Sequence, residues 1–347
     1  MRLWTQLVNR RLRSMTSDQL DYRDSAGFPD LRAAIAEHVQ TARGTRCGPD
    51  QVIIVAGAQR GLQMIGTALL DEGDRVCVED PGYPGARSAL LSASAQIVPV
   101  PVDKDGLDVA AAARLAPDAR MIYVTPSNQF PLGSPMSLAR RLALLEWAGR
   151  VGAWVIEDDY DSEFRYGVRP FPSLHGIDTD GRVIYVGTFA KSIFPALRLG
   201  FLIVPSDLHE QFLATRRAAD LHPPILEQMV LCDFIADGHY ARHLLRMRAL
   251  NRERLEAMVD AAARLCGDSL RLRKVRTGLH AVADLKGVDE ERVCREARGR
   301  GIEVAPLGMY FLGPRTASGL VLGFASCRPE DLRRGMEKLA AAIEAAR

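Results

Sequence analysis

Short apolar runs alternate with amphipathic stretches through the first two thirds of the chain. Leu138, Leu142 and Leu145 repeat at the spacing of one helical face, which predicts a helix over 137–152, and a second helix is predicted over 58–70. Several intervening runs are apolar at nearly every position, as in parallel strands covered on both faces. The pattern predicts an α/β fold with a mostly parallel central sheet wrapped by helices. The predicted strands cover 51–57, 75–80, 96–102, 121–126, 153–159, 182–187 and 198–205.

The pattern changes after Pro205. Residues 206–265 are predicted to be largely helical, and short strands and two helices follow them, the last helix starting near Pro329. This mixture of predicted helices and short strands indicates a smaller α+β domain at the C-terminal end. We therefore expect a large α/β domain over 26–240 and a small domain over 241–347. The first segment, 1–25, is expected to pack with the small domain or with a partner subunit.

The composition gives no reason to expect a nucleic-acid-binding, membrane-spanning or secreted protein, but it does not indicate a function. The 347 residues include 45 Lys and Arg against 43 Asp and Glu, so the charge balance gives no reason to expect nucleic acid or an anionic membrane as a partner. No apolar run approaches the ~20 residues that span a bilayer, and the basic N-terminus lacks the apolar core of a signal peptide. Six scattered cysteines without a CxxC pair are typical of reduced thiols, which favours a cytoplasmic protein. They are Cys47, Cys77, Cys232, Cys266, Cys294 and Cys327.

Polar residues follow two of the predicted strands, where ligands of open α/β sheets bind. Gly57, Ala58 and Gln59 open a predicted helix, whose free N–H groups suit a phosphate; the alternative is a plain strand-to-helix turn. The strand over 153–159 ends in an acidic cluster followed by Tyr160. Such clusters are usually solvated or cap helices, but a carboxylate at a strand end is also placed to pair with a buried cation.

Lys191 follows the strand 182–187 in the stretch GTFAKS and has apolar neighbours, among them Phe189 and Phe194. A lysine in such surroundings commonly extends its amine to water. A desolvated lysine has a lowered pKa instead and becomes a nucleophilic amine able to form a Schiff base. Thr188 and Arg198 lie close in sequence and have the chemistry to hold a phosphate next to that amine.

Five motifs occur in a characteristic order: LDYRDSAGFPDLRAAIAEHV, VEDPGYPGAR, VTPSNQFPLGSPMS, VIEDDYDSEFRY and VGTFAKSIFPALRLGF. With them the chain resembles the fold-type I pyridoxal 5'-phosphate (PLP) enzymes of the class I and II aminotransferases. It is most similar to the aminotransferase-like domain of MocR-type regulators of the GntR family. The resemblance implies PLP as cofactor and a homodimer with its active site at the interface. No winged-helix DNA-binding module is evident in the sequence, so nucleic acid is not an expected partner.

The resemblance also implies roles for particular residues. Lys191 would form the Schiff base with PLP and move a proton between the substrate and the cofactor. Asp158, rather than Glu157 or Asp159, would pair with the pyridinium nitrogen, because the motif places the acid two residues before Tyr160. Tyr160 would hydrogen-bond the cofactor's O3′ atom. Tyr83 would stack on the ring, Asn128 or Gln129 would lie near O3′, and the phosphate would be held by Gly57, Ala58, Gln59, Thr188 and Arg198.

Substrate contacts are less clear from the motifs. Aligning GLVLGFAS with the family pattern puts Val321 where these enzymes usually carry the arginine that binds the substrate carboxylate. Valine cannot replace a guanidinium, so either Arg315 supplies the group or the substrate is held differently. Gly27 lies in a loop that contacts substrate in relatives, or simply turns the chain into a helix. His239 and His243 are spaced like ligands but lack a nearby acid motif, and no metal is expected.

These expectations favour a PLP-dependent aminotransferase. It would move an amino group between a small amino compound, such as an amino acid, and a 2-oxo acid. Two alternatives stay open. One is the effector-sensing domain of a MocR-type regulator, and the other is a different PLP reaction, such as elimination, decarboxylation or oxidation.

Overall fold

The structure is a computed structural model, and it describes residues 2–167 and 171–347. Within these residues the helices are α1 Arg2–Ser14, α2 Pro29–Arg43, α3 Ala58–Leu69, α4 Pro84–Leu91, α5 Val109–Leu115, α6 Leu138–Val151, α7 Leu174–Ile177, α8 His209–Ala219, α9 Ile225–Ala236, α10 His239–Leu265, α11 Glu290–Gly299 and α12 Pro329–Ala345. The strands are β1 Val52–Val55, β2 Arg75–Asp80, β3 Gln96–Asp103, β4 Gly106–Leu107, β5 Met121–Val124, β6 Trp154–Asp159, β7 Val183–Thr188, β8 Gly200–Ile203, β9 Leu270–Leu272, β10 His280–Leu285, β11 Ala305–Pro306 and β12 Gly319–Gly323.

The first eight strands form one sheet in the order β1, β8, β7, β6, β5, β2, β3, β4. Strands β3, β2, β5, β6 and β7 run parallel to one another. Strand β8 is antiparallel to both β1 and β7, and β4 pairs antiparallel at the opposite edge. This arrangement confirms the predicted α/β fold with a mostly parallel central sheet.

Both faces of this sheet are covered, which explains why several of its strands are apolar at nearly every position. Every residue of β1, β5 and β6 is buried. Apolar side chains of β1 alternate between two cores: Ile53 packs with Leu62 of α3 on one face, and Ile54 packs with Ile35 of α2 on the other. Each such side chain contributes roughly 1.5–3 kcal/mol when it leaves water, so the two-sided cover stabilises the sheet strongly.

The last four strands form a separate antiparallel sheet in the order β11, β12, β10, β9. Its apolar residues pack against α10, α11 and α12, as when Leu320 meets Met258, Val293 and Leu339. This is the smaller α+β layer that the sequence predicts. The expected limits at 26–240 and 241–347 stay a prediction, because α10 runs through the proposed boundary as one continuous helix.

Helix α1 packs on α9. The ring of Trp4 meets Phe234 edge-on at 5.8 Å between centroids, and Arg11 Nε donates to Asp233 Oδ2 at 2.7 Å. The expected partner of this segment was the small domain or a second subunit. Within this chain it lies on a helix of the region predicted as the large domain, and contact with a second subunit stays a prediction.

None of the helices in the described part of the chain is long and apolar enough to cross a membrane. The six cysteines are free thiols, and all but Cys327 are buried.

Gly187 of β7 faces Phe201 of β8, and a Cβ at this glycine would lie 2.1 Å from the ring atom Cζ of Phe201. Phe201 is only 5% exposed, so the ring has little room to move. We expect Gly187→Ala to lower the free energy of unfolding by about 1–3 kcal/mol through overpacking. Urea unfolding would measure it. Gly335→Ala in α12 is the control, because nothing lies within 4 Å of its Cβ position. Equal midpoints for the two variants would contradict the packing argument.

Candidate active site

A cavity of about 470 Å³ lies between the carboxyl ends of the central strands and the second sheet. Eight of the residues predicted to bind a cofactor line it: Ala58, Gln59, Tyr83, Asp158, Tyr160, Thr188, Lys191 and Arg198. They come from four separate stretches of the chain, which meet because each stretch lies at or just after the end of a strand of the same sheet. The second sheet closes the opposite side.

One corner of the cavity is suited to an anion. Helix α3 begins there, after Gly57, whose φ of +84° is a conformation that glycine adopts most easily. Arg198 Nη2 donates to the carbonyl of Ala56 at 3.1 Å, and a Cβ on Gly57 would lie 3.0 Å from the guanidinium carbon. The first N–H groups of a helix lack partners within the helix. Together with the guanidinium of Arg198 and the nearby Thr188, they offer the kind of hydrogen-bond donors that a phosphate would need.

Asp158 at the end of β6 is 4% exposed, and its two carboxylate oxygens differ. Oδ2 accepts a hydrogen bond from the hydroxyl of Tyr123 at 2.7 Å. Oδ1 is buried and has no hydrogen-bond partner among the described residues. Burial raises the pKa of this carboxyl from its ordinary value of 3.8 to about 7. A buried acceptor without a partner is costly, so this atom is ready to accept a proton-bearing ligand nitrogen.

The neighbouring carboxylates have other partners. Glu157 accepts hydrogen bonds from the backbone N–H groups of Leu174 and His175, each at 2.9 Å. Asp159 forms a buried ion pair with Arg43, with 2.6 Å between Nε and Oδ2. Of the three consecutive acids, Asp158 alone lines the cavity.

A hydrogen-bonded cluster surrounds Tyr160. Its hydroxyl donates to the carbonyl oxygen of Asn128 at 2.9 Å and accepts from Asn128 Nδ2 at 2.9 Å. The same Nδ2 donates to Asp161 Oδ2 at 2.8 Å, and Thr277 donates to Asn128 Oδ1 at 2.7 Å. Burial raises the pKa of Tyr160 well above its ordinary value, so the hydroxyl keeps its proton near neutral pH.

Gln129, the other amide considered near O3′, is used elsewhere. Its Nε2 donates to the carbonyls of Pro81 and Phe130, and its Oε1 accepts from the N–H of Leu132. It therefore holds the shape of its own loop. The structure brings Asn128, and not Gln129, to Tyr160.

Lys191 is exposed to the cavity, and the next residue anchors its segment. Ser192 Oγ accepts a hydrogen bond from the hydroxyl of Tyr240 at 3.0 Å, and its carbonyl accepts one from His243 Nε2 at 2.8 Å. His243, for which the sequence predicted no metal-binding role, thus fixes the segment that carries the lysine.

The residues expected to contact substrate are not brought together. Gly27 packs against Ile54 and Gln228 and does not line the cavity. Arg315 is 55% exposed and pairs with Glu290 and Glu291 instead of entering the cavity. Val321 does line it, from β12.

Sequence reasoning also missed several residues at or beside the cavity, among them Tyr123, Thr277, His280 and Tyr310. Tyr123 in the apolar run MIYV was the only one with a local signal, a hydroxyl in a buried strand. Thr277, His280 and Tyr310 come from distant stretches whose placement depends on the second sheet.

A lysine, an anion corner and a buried unpartnered carboxylate, set between a large α/β sheet and a smaller sheet, define a fold-type I PLP site. The family model described as "Aminotransferase class I and II" matches residues 4–339, so the chain belongs to the class I and II aminotransferase family. Members of this family are PLP-dependent, and the chain is accordingly a PLP-dependent aminotransferase.

The relatives are of two kinds. A Rhizobium meliloti protein described as "Probable rhizopine catabolism regulatory protein MocR" is 41% identical over 98% of this chain, which spans 69% of that protein. A 2-aminoadipate transaminase of Thermus thermophilus is 30% identical over 96% of this chain and 84% of its own length. The crystal structure of LysN, an alpha-aminoadipate aminotransferase from Thermus thermophilus, superposes with a TM-score of 0.90 at 29% identity. That match covers 99% of this chain and 88% of LysN, which is complexed with N-(5'-phosphopyridoxyl)-L-leucine.

The buried pair of Arg43 and Asp159 fixes the end of β6 beside Asp158. We expect Arg43→Met to lower stability by about 3–5 kcal/mol, because it leaves the buried Asp159 carboxylate without its cation. Adding Asp159→Leu should restore part of the loss. Thermal unfolding would show both effects. Arg334→Met is the control, since Arg334 forms an exposed pair with Asp331 worth about 0–1 kcal/mol. A loss at position 43 no larger than the control's would contradict the role of the pair.

Proposed function

We propose that this chain transfers amino groups at the cavity described above, with Lys191 as the residue that binds PLP covalently and moves protons during the reaction. The substrates are a small amino compound and a 2-oxo acid. The observation that carries the proposal is that Lys191 and Asp158, whose Oδ1 has no hydrogen-bond partner among the described residues, line one cavity beside the anion corner. The residues fit PLP because they offer an amine, an acceptor for its ring nitrogen and donors for its phosphate.

PLP, when bound, supplies an electron sink that stabilises negative charge on the carbon next to the amino group. Asp158 would keep a proton on the ring nitrogen, which makes that sink effective. The hydroxyl of Tyr123 donates to Asp158 and so fixes the direction of the carboxylate. Lys191, once released from the cofactor, would serve as the base that takes a proton from the substrate and returns it.

The remaining residues orient the cofactor. The N–H groups of Ala58 and Gln59, with Thr188 and Arg198, would hold the phosphate. Tyr83 would cover one face of the ring. Its own ring meets Phe130 edge-on at 5.8 Å between centroids, which restricts its motion.

The cofactor's O3′ atom would lie near Tyr160. The hydrogen bonds between Tyr160 and Asn128 support this placement, because they set the direction in which the tyrosine hydroxyl points. We assign the role near O3′ to Asn128 and give Gln129 the task of shaping its loop.

The regulatory relatives give weight to a second candidate, an effector-sensing domain that binds PLP and an amine without turnover. Both candidates need the same site. They differ in their response to an amino donor: an aminotransferase keeps the donor's amino group, releases an oxo product and then passes the amino group to a 2-oxo acid, whereas a sensor retains the whole donor. Product analysis over repeated cycles separates them.

We further propose that the protein is a cytoplasmic homodimer. The family resemblance supports the dimer, and six cysteines that remain free thiols support a reducing compartment. A division into a large unit, 26–240, and a small unit, 241–347, is supported by the two separate sheets.

Lys191→Ala should abolish covalent attachment of PLP without unfolding the chain, because Lys191 is exposed to the cavity and not part of the core. After hydride reduction, mass spectrometry should find the phosphopyridoxyl label on Lys191 in the wild type and on no residue in the variant. The chain has five lysines, so the label can be mapped cleanly. Lys286→Ala is the control and should label like the wild type. Label on another lysine in the wild type would overturn the assignment.

Asp158→Asn should raise the stability of the PLP-free chain at pH 8. It should also reduce the additional stability that the chain gains when PLP binds. A carboxyl whose pKa is raised on folding destabilises the fold as pH rises from about 4 to about 7, because the folded chain binds that proton more tightly than the unfolded chain. Asparagine removes this effect, so the PLP-free variant should gain roughly 1–3 kcal/mol at pH 8 and little at pH 5.

Thermal unfolding at pH 5 and pH 8, with and without PLP, checks both parts. The matched control is Asp118→Asn at an exposed position. It should change neither the stability of the PLP-free chain nor the stabilisation by PLP. An equal PLP-induced shift in Asp158→Asn and wild type would argue against contact between Asp158 and the ring nitrogen.

A further inference from the structure

The charges of the cavity are unevenly distributed. Four charged side chains of the described residues line it, namely Asp158, Asp161, Lys191 and Arg198, and all belong to the side of the central sheet. The wall formed by the second sheet contributes no lysine, arginine, aspartate or glutamate among the described residues. It consists of Leu279, His280, Ala305, Tyr310, Val321 and Gly323.

Both cations already have tasks in the proposed function. Lys191 binds the cofactor, and Arg198 sits against Gly57 at the anion corner, where the phosphate would lie. With both cations occupied, no charged side chain of the described lining is left to pair with a carboxylate. A substrate carboxylate placed there would lose its hydration without gaining a cation from the described residues of this chain, which is strongly unfavourable.

Arg315 does not supply the missing charge. It lies against Gly308, where a Cβ would come within 2.6 Å of its guanidinium carbon, and it pairs with Glu290 and Glu291. Glu290 is itself held in place, since it accepts hydrogen bonds from the N–H groups of Gly308 and Gly319. Moving Arg315 into the cavity would leave that buried carboxylate without its cation.

The wall instead offers neutral hydrogen-bonding groups. His280 Nε2 lies 2.9 Å from the carbonyl of Pro131, and because a carbonyl only accepts, this nitrogen carries the proton. Burial lowers the pKa of His280, so near neutral pH its other ring nitrogen is an acceptor. That nitrogen and the hydroxyl of Tyr310 have no hydrogen-bond partner among the described residues. Val321 places an apolar surface beside them.

We propose that the amino donor of this site is a primary amine that carries no carboxylate on the reacting carbon, an amino alcohol being the type that fits the wall. The inference rests on the proposed function and specifies its substrate class. A hydroxyl on the donor pairs with His280 or Tyr310, and alkyl groups pack against Val321. A 2-oxo acid meets the same neutral wall, so its half-reaction is the slower half of the cycle.

The test compares two stable cofactor adducts that differ in one group. N-(5'-phosphopyridoxyl)-L-alanine carries the carboxylate, and the corresponding adduct of L-2-aminopropan-1-ol carries a hydroxymethyl group instead. Calorimetric titration of the full chain, freed of cofactor, gives a dissociation constant for each adduct and for PLP. We expect the dissociation constant of the amino-alcohol adduct to be lower than that of the alanine adduct by a factor of about ten or more.

Equal binding, or tighter binding of the alanine adduct, would overturn the inference while leaving the proposed function intact. It would show that a cation reaches the carboxylate, for example from a second copy of this chain. Binding of PLP but of neither adduct would overturn it as well. Failure to bind PLP at all would instead remove the proposed function on which the inference rests.

A variant of the wall provides an independent arm. Val321→Arg introduces a guanidinium on the cavity side of β12 and should shift the ratio of the two dissociation constants by about tenfold or more toward the alanine adduct. Val321→Met adds length without charge and should leave the preference of the wild type. In the PLP-loaded wild type, amino transfer from L-2-aminopropan-1-ol should be faster than from L-alanine. Val321→Arg should shift this ratio of rates toward L-alanine. An unchanged ratio in a folded Val321→Arg variant would overturn the account of the wall.

Discussion

The burial of three consecutive carboxylates at the end of β6 is the constraint on which the site depends. Buried acids are tolerated only when each finds a partner, and here the partners differ. Glu157 is held by backbone N–H groups and Asp159 by Arg43, while Asp158 has only the hydroxyl of Tyr123. Because a strand alternates its side chains, Glu157 and Asp159 point to the face opposite Asp158. Glu157 and Asp159, each bound to partners on that opposite face, thus leave the middle acid directed toward the cavity.

The sequence predicted most of the sheet and the residues of the anion corner, because both follow from local pattern. Apolar runs mark buried strands, and polar residues directly after them must lie at one edge of a parallel sheet. The strand limits were less accurate at turns. The run 198–205 was predicted as a strand, but Arg198 adopts a positive φ of +51° and the strand begins at Gly200, which places the guanidinium beside Gly57.

What sequence could not predict depends on contacts between distant segments. Nothing near Arg43 indicates that it will meet Asp159, 116 residues later. His280 and Tyr310 reach the cavity only because the second sheet folds over the first. The arginine considered at position 315 had the right chemistry, but its pairing with Glu290 is a tertiary effect that no local motif encodes. The residue types required for PLP chemistry were therefore visible in the sequence, whereas the residues of the second-sheet wall were not.

Helix α10 connects the segment next to Lys191 with the core of the second sheet. At its start, Tyr240 and His243 hold the backbone and side chain of Ser192, next to Lys191. Further along, Leu255 and Met258 are embedded in the core of the second sheet. With 27 residues at about 1.5 Å each, the helix is about 40 Å long and connects the two regions rigidly. A tilt of the second sheet over the cavity would therefore be transmitted through α10 to the peptide that carries Lys191. The distance between the two sheets and the position of Lys191 would then change together.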